Sequence, residues 1–327
     1  MATIKDVAER AGVTVTTVSR VLNDRGYISQ KTRDAVHKAM KELHYQPNEL
    51  ARALFRRKSK VLGLLLPSIS HPFFAELTSH VESHAYKLGY KVLICNSLED
   101  SAKEQEYLAL LKRQQVAGIV MASPTLEASE YARTALPVVA IDHFLADSIP
   151  YVASDNAAGG RLAAEHLLAR GCRHLAHISG PLMMNTLVNQ RYTSFVAVAK
   201  EHGVPFRMVE TKWNNFTREE NEAMVRRLFE EDPSIDGVFA SSDLIAASFI
   251  GICLSMGKRV PEDVKVIGYD DVSLASLFVP GITTIHQPIE ELADLAVQII
   301  HREYEGLPVE PSCVLPVRLV ARGSTGP

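Results

Sequence analysis

The 327-residue sequence has no run of about 18 apolar residues, so no segment has the composition of a membrane-spanning helix. Cysteine is scarce. Cys95, Cys172, Cys253 and Cys313 lie far apart and none belongs to a CxxC pair, which argues against a disulfide framework or a zinc finger and leaves buried reduced thiols. Neither a phosphate-binding GxxxxGKS/T loop nor a GxGxxG turn is present, so nucleotide-dependent catalysis has no support. A GxSxG elbow is also missing and no catalytic pair replaces it; an enzyme is not expected. His71, His143 and His286 share no short ligand spacing, so neither a metal nor another cofactor is expected. The first residues, MATIKDVAERAG, are charged and lack an apolar secretory core, which points to a cytoplasmic protein.

What is present is unevenly placed. A length of 327 residues with 46% apolar content suits two to three packed domains. Residues 1–60 hold 13 Lys and Arg against 6 Asp and Glu, whereas the other 267 hold 22 against 32. A small basic head on a larger acidic body suggests nucleic acid at one end only, with a solvated basic face as the alternative.

The head reads as three short helices. Thr3 caps the first, whose apolar residues Ile4, Val7, Ala8 and Ala11 recur at i, i+3, i+4 and i+7. Asp6 puts a carboxylate in its first turn, and Gly12 stops it by taking the left-handed conformation. Thr14 caps a second helix that turns Val18, Val21 and Leu22 inward. Ser29 caps a third that buries Ala35, Val36, Ala39, Met40 and Leu43. Two short helices joined by a tight glycine turn form a helix-turn-helix unit.

IKDVAERAGVTVTTVSRVLND and YISQKTRDAVHKAMKELHYQPNELARAL resemble, nearly position by position, the DNA-binding head of the LacI family of bacterial transcription factors. The resemblance is close over about sixty residues and looser over the rest of the chain. It implies a helix-turn-helix domain over 1–46 whose second helix lies in the major groove of operator DNA. Val15, Thr16 and Arg20 fall at the family's base-reading positions. Valine offers apolar contact to a thymine methyl and Arg20 a bidentate contact to guanine. Thr14, Thr17 and Ser19 fall where phosphates are held. PNELARAL matches the family's hinge helix, within a hinge and linker over 47–60. There Asn48 belongs to the start signal, Ala51 allows two such helices to approach, and Leu54 matches the leucine wedged into the minor groove. A helix so short is marginal alone and can therefore switch.

From residue 61, short apolar runs alternate with amphipathic stretches: VLGLLLP, KVLIC, AGIVMA, PVVAI, HLAHIS, DGVFAS, KVIGYD and TTIHQ. Helical patterns separate most of them, at 73–88, 102–114, 157–170, 188–202, 218–230 and 244–256. The chain thus divides into an all-α helix-turn-helix head and an α/β core of parallel sheets covered by helices. The core, 61–327, exceeds one sheet's usual size. Two lobes are expected, lobe 1 over about 61–159 and 291–317 and lobe 2 over about 160–290 and 318–327, with a ligand cleft beyond the strand ends. This layout resembles the periplasmic sugar-binding proteins, to which the LacI-family core is related.

Candidate ligand residues are expected just after strands: His71, Phe73 and Phe74 in SISHPFF, Asp142 and His143 in VVAIDHF, and Arg191 in NQRYTSF. Phe216 in WNNFTRE, Ser242 and Asp243 in ASSD, Asp270 in IGYDD and Gln287 in TTIHQP complete the set. Carboxylates and amides suit the hydroxyl edges of a sugar and aromatic rings its apolar faces; core packing is the plain alternative for the aromatics. Within the family, MATIKDVA, LARAL, SISHPFF, IGYDD and TTIHQP resemble the ribose operon repressors. ICNSLEDSAKEQEYL, SDNAAGG and LPVRL resemble the sucrose operon repressors of Gram-positive bacteria. His71 and Ser242 stand where the ribose pocket usually has asparagine, and His143 where arginine follows the aspartate. Such changes of buried polar groups alter which ligand is accepted.

The resemblance implies a homodimeric repressor of a carbohydrate-utilisation operon, bound to a near-palindromic operator and controlled allosterically by a sugar or sugar phosphate of the ribose or sucrose/fructose type. The chain reaches Pro327 without a heptad tail, which favours a dimer over a tetramer. The alternatives are a catabolite-control regulator that recruits a phosphoprotein corepressor, and a plain sugar-binding protein.

Overall fold

The structure, a computed structural model, describes residues 2–22, 26–45, 59–122, 125–180, 182, 186–211 and 218–326. It divides into two compact units, Met1–Ser59 and Lys60–Pro327. The expected hinge residues Asn48, Ala51 and Leu54, and Phe216 of the ligand set, lie outside the described residues.

The first unit contains α1 (Ile4–Ala11), α2 (Val15–Leu22) and α3 (Gln30–Glu42). Thr3 and Asp6 form a reciprocal capping box, with the Thr3 N–H donating to the Asp6 carboxylate at 2.7 Å. That backbone hydrogen bond, joined by one from the Thr3 side chain, holds the exposed Asp6 carboxyl below its ordinary pKa. Gly12 ends α1 at φ 66°, and its N–H donates to the carbonyls of Ala8 and Glu9. Val7, Ala8, Val18, Val21, Val36 and Ala39 form the buried centre, with Met40 and Leu43 packed partly buried around it. Such a helix trio is too small to hold its shape by propensity; the shared apolar stripe does that work.

The second unit holds two six-stranded sheets. Sheet 1 contains β1 (Val61–Leu66), β2 (Lys91–Asn96), β3 (Gly118–Met121), β4 (Val138–Ile141), β5 (Tyr151–Ser154) and β11 (Ser312–Leu315), in the order β11-β5-β4-β3-β1-β2. Sheet 2 contains β6 (Leu175–Ser179), β7 (Phe206–Glu210), β8 (Gly237–Ala240), β9 (Lys265–Asp270), β10 (Thr283–His286) and β12 (Arg318–Val320), in the order β12-β10-β9-β8-β6-β7. The central strands are buried almost throughout, as parallel strands covered on both faces must be. All pairs are parallel except β10 with β12. That edge departs from the all-parallel expectation because β11 of sheet 1 runs parallel to β5 and only Pro316 and Val317 separate it from β12, so the chain enters sheet 2 where β10 ends, Arg318 opposite His286, and runs back against it.

Helices α4 (Pro72–Lys87), α5 (Ser101–Arg113) and α6 (Ala128–Ala132) belong to the sheet 1 lobe. Helices α7 (Asn156–Ala169), α8 (Gln190–Glu201), α9 (Arg218–Glu231) and α10 (Asp243–Ser255) belong to the sheet 2 lobe. Then α11 (Ile289–Tyr304) returns to pack on α4, β3, β4 and β5. The chain therefore passes between lobes three times. The first passage is at Asp155, earlier than the boundary near 160, because Asp155 caps α7 and α7 packs on α8, β8, β10 and β12. Among the described residues no helix is long and apolar enough to cross a membrane.

Candidate functional site

The first unit presents one face of α2. Thr14, Val15, Thr16 and Arg20 are exposed, and Thr17 and Ser19 are half-buried. Val15 is 40% exposed although apolar, whereas Val18, three residues on, is fully buried. Packing thus accounts for Val18 and leaves Val15 free to touch another molecule. The Thr14 hydroxyl accepts the Thr17 N–H at 3.2 Å and pairs with the Thr17 hydroxyl at 2.9 Å, which fixes the first turn of α2.

The second unit has a cavity between the carboxyl ends of its two sheets, with about 900 Å³ of atom-free space, part of it open to solvent. Ala122, Ile141, Asp142 and His143 line it from the sheet 1 side, with His71, Phe73 and Phe74 from the start of α4. From the sheet 2 side come Ser179, Thr211, Ser241, Ser242, Asp270 and Gln287, with Arg191 from α8.

Not all these residues follow a strand directly. His71 is the N-cap of α4 and Phe73 and Phe74 lie in its first turn; Arg191 lies in the first turn of α8, well past β6. Asp243 corrects the sequence reading more sharply, since it does not line the cavity. Its carboxylate faces inward, accepting the Val272 N–H at 3.0 Å and the Thr284 hydroxyl at 2.5 Å, and so ties the start of α10 to β10 and the segment after β9. Residues absent from the sequence reading also contribute, among them Thr186, Val188 and Asn189 ahead of α8. The Asn189 side chain is held by the Leu182 carbonyl and the Thr186 hydroxyl.

Arg191 is the cationic centre. Its Nε donates to Asn156 Oδ1 at 2.6 Å and its Nη1 to the Ser241 carbonyl at 2.9 Å, while Cζ lies 3.5 Å from the centroid of the Tyr269 ring. Nη2 stands 3.7 Å from Asp142 Oδ2. The other Asp142 oxygen accepts from the Ser154 N–H at 3.0 Å and the Asn156 amide at 3.2 Å. Opposite, Gln287 Nε2 donates to Asp270 Oδ1 at 2.7 Å and Gln287 Oε1 accepts from the Ser154 hydroxyl at 2.8 Å. Asp142 at φ 54° and Asp270 at φ 111° both hold backbone conformations that non-glycine residues rarely adopt, a form of strain that gathers at functional sites.

The titrating groups are pushed toward neutrality. Burial lowers His71 to about 4, assisted by the charge of Arg191, so its imidazole is neutral near pH 7. Burial likewise lowers His143. The His143 Nδ1 lies 2.8 Å from the Ile141 carbonyl and donates to it, so Nε2 is an acceptor. Asp270 is raised well above the ordinary carboxyl range, first by burial and then by the charge of Asp243. The cavity can therefore meet a polyhydroxyl ligand with a guanidinium donor, carboxyl and imidazole acceptors, and the edge-to-face pair Phe73 and Phe74, whose centroids are 5.1 Å apart.

Comparison with known proteins gives a consistent picture. Residues 3–48 match the bacterial regulatory proteins of the lacI family, and residues 164–325 match the periplasmic binding protein-like domain. A ribose operon repressor from Halalkalibacterium halodurans is 42% identical over 326 residues, covering 99% of this chain and 97% of that protein. A sucrose operon repressor from Streptococcus mutans is 38% identical over 321 residues, with 98% of each chain covered. Among solved structures, a LacI family transcriptional regulator from Enterococcus faecium with bound ribose superposes with a TM-score of 0.73 at 28% identity, covering 82% of this chain and 99% of that one.

Proposed function

The chain belongs to the LacI family of bacterial regulatory proteins, and from that premise we propose that it represses a carbohydrate-utilisation operon under the control of a sugar bound in its core cleft. The relatives are transcriptional repressors, a non-enzymatic family. Operator DNA would be read by α2, with Val15, Thr16 and Arg20 at base edges and Thr14, Thr17 and Ser19 on phosphates. Two copies would present two heads to a near-palindromic operator. The hinge, residues 47–60, would seat Leu54 as a wedge in the minor groove, beside Asn48 and Ala51.

One observation carries the sugar reading. Among the described lining residues Arg191 supplies the one guanidinium and each lobe supplies a buried carboxyl, Asp142 and Asp270, with the rings of Phe73 and Phe74 in the same lining. This is the mixture a sugar needs: bidentate donors, fixed acceptors and an apolar face. The ligand set is His71, Phe73, Phe74, Asp142, His143, Arg191, Ser242, Asp270 and Gln287, with Phe216 as a further member. A sugar that binds the open and closed arrangements of the lobes unequally would shift operator affinity by its coupling energy, typically ~1–3 kcal/mol.

The test is fluorescence anisotropy on a labelled palindrome with a central CG step, at fixed salt because phosphate contacts make affinity steeply salt-dependent. Ribose, fructose, sucrose and their phosphates are titrated in turn. One sugar is expected to shift the binding curve, and the direction of the shift gives the sign of control. DNA binding that ignores every sugar would point to a phosphoprotein corepressor instead. Failure on any palindrome would remove the repressor reading.

A further inference from the structure

The stretch SDNAAGG, residues 154–160, carries the chain from β5 into α7 and supplies none of the residues that line the cleft. Its side chains nevertheless converge on residues that do. Asn156 is fully buried. Its Nδ2 donates to Asp142 Oδ1 at 3.2 Å and to the Ser154 carbonyl at 3.1 Å, and its Oδ1 accepts from Arg191 Nε at 2.6 Å and Tyr269 Oη at 3.3 Å. The amide can lie only one way round, because Arg191 Nε can only donate and the Ser154 carbonyl can only accept. One end of this amide therefore faces lobe 1 and the other faces lobe 2, at the first passage between them.

The two glycines that follow keep the same arrangement open. A Cβ on Gly159 would come within 2.6 Å of the Tyr269 ring, the ring on which the Arg191 guanidinium rests. A Cβ on Gly160 would come within 2.1 Å of the Arg191 carbonyl oxygen.

The separation of Arg191 from Asp142 gives the arrangement its meaning. At 3.7 Å the pair is longer than the ~2.7–2.9 Å of a charge-assisted hydrogen bond. The guanidinium is pinned by Asn156, the Ser241 carbonyl and Tyr269, so it cannot swing fully onto the carboxylate. Both charges keep hydrogen-bonding capacity for a ligand.

We propose that Asn156 is the positioning residue of the effector site: it holds Arg191 of lobe 2 and Asp142 of lobe 1 apart, in the register a sugar meets. Without its carbonyl oxygen, Arg191 Nε loses its partner in a buried place and the guanidinium collapses onto Asp142. The ion pair then competes with the sugar. This inference rests on the reading of the cleft as a sugar site.

The experiment uses the full-length chain labelled with ¹⁵N-arginine, the Arg191 Nε–H resonance being identified by its loss in Arg191→Lys. D-ribose, D-fructose and sucrose are titrated by calorimetry. In the unaltered protein the Arg191 Nε–H signal is expected to be sharp and slow to exchange. Asn156→Ala is expected to abolish or displace that signal and to weaken the bound sugar by about tenfold or more. Asn156→Asp keeps an acceptor for Arg191 but offers Asp142 no donor, so it retains the signal and still weakens the sugar. A purely structural role would lower the unfolding temperature without changing the dissociation constant of the folded protein. An unchanged Arg191 signal in Asn156→Ala, or unchanged sugar affinity in that variant, overturns the proposal. If Asn156→Ala does not fold, Asn156→Asp decides, and sugar affinity within about twofold of the unaltered protein overturns it. If the unaltered protein binds none of the three sugars, the sugar reading fails instead, and the Arg191 signal alone decides whether Asn156 holds the guanidinium.

Discussion

Asp243 and Asp270 are buried carboxyls near the root of the cleft, and burial raises both, Asp243 to about 7. Unfolded, the Asp243 carboxyl gives up its proton near 3.8. Between that value and about 7 the folded state therefore holds more protons than the unfolded state, and this group's contribution to stability falls as pH rises through the window. Asp243→Asn, which cannot ionise, is expected to show a smaller drop in unfolding temperature between about pH 5 and about pH 7.5 than the unaltered chain. Equal drops would mean that Asp243 does not titrate there. Asp270→Ala tests the neighbouring role: operator binding should persist while the sugar-dependent shift in anisotropy disappears. A normal response would place the ligand elsewhere. Asp142, Arg191, Asp270 and Gln287 each sit in a family motif, and all four line the cavity. Asp243 was misread because a motif position does not say which way a carboxylate turns. Asn156 was invisible as a site residue because its partners stand 14, 35 and 113 positions away, and no local periodicity records such distances.

At the scale of elements the caps were the most readable feature. Thr3, Thr14 and Ser29 act where their chemistry suggests, through bonds of three-residue span that a sequence displays directly, and Gly12 ends α1 by its left-handed backbone. The edge strand β12 was not readable as antiparallel, because three apolar-flanked residues carry no direction. Helix α7 shows what composition alone conceals. Gly159 and Gly160 look like helix-weakening residues, yet they permit α7 to meet Tyr269 and α8. Gly160→Ala must displace backbone rather than a flexible side-chain end, so it is expected to destabilise the core by about 1–3 kcal/mol in urea unfolding. A smaller change than about 0.5 kcal/mol would show that α7 and α8 separate easily. For the hinge, Leu54→Ala is expected to weaken binding to the palindrome by about tenfold or more while hardly changing binding to random DNA. Equal losses on both would remove the wedge.

At the scale of the whole molecule, the division into a basic head and an acidic α/β core could be read from charge and periodicity, and the two-lobed core from its length. The proposed two-headed repressor requires two copies, so sedimentation at operator-binding concentrations is expected to give a mass near twice 36.0 kDa. A species of 36.0 kDa that still binds the palindrome with full affinity would end that account.

The three passages between lobes also govern how the chain can emerge from a ribosome. The strands β1 to β5 are complete by residue 154, but α11, which covers part of their sheet, does not arrive until residues 289–304. At ~5–20 residues per second of synthesis, that apolar face stays bare for on the order of ten seconds in every nascent chain. The lobe that is translated first thus waits for its cover until most of the second lobe has been made, and the length of that exposure is set by the order in which the gene spells the fold.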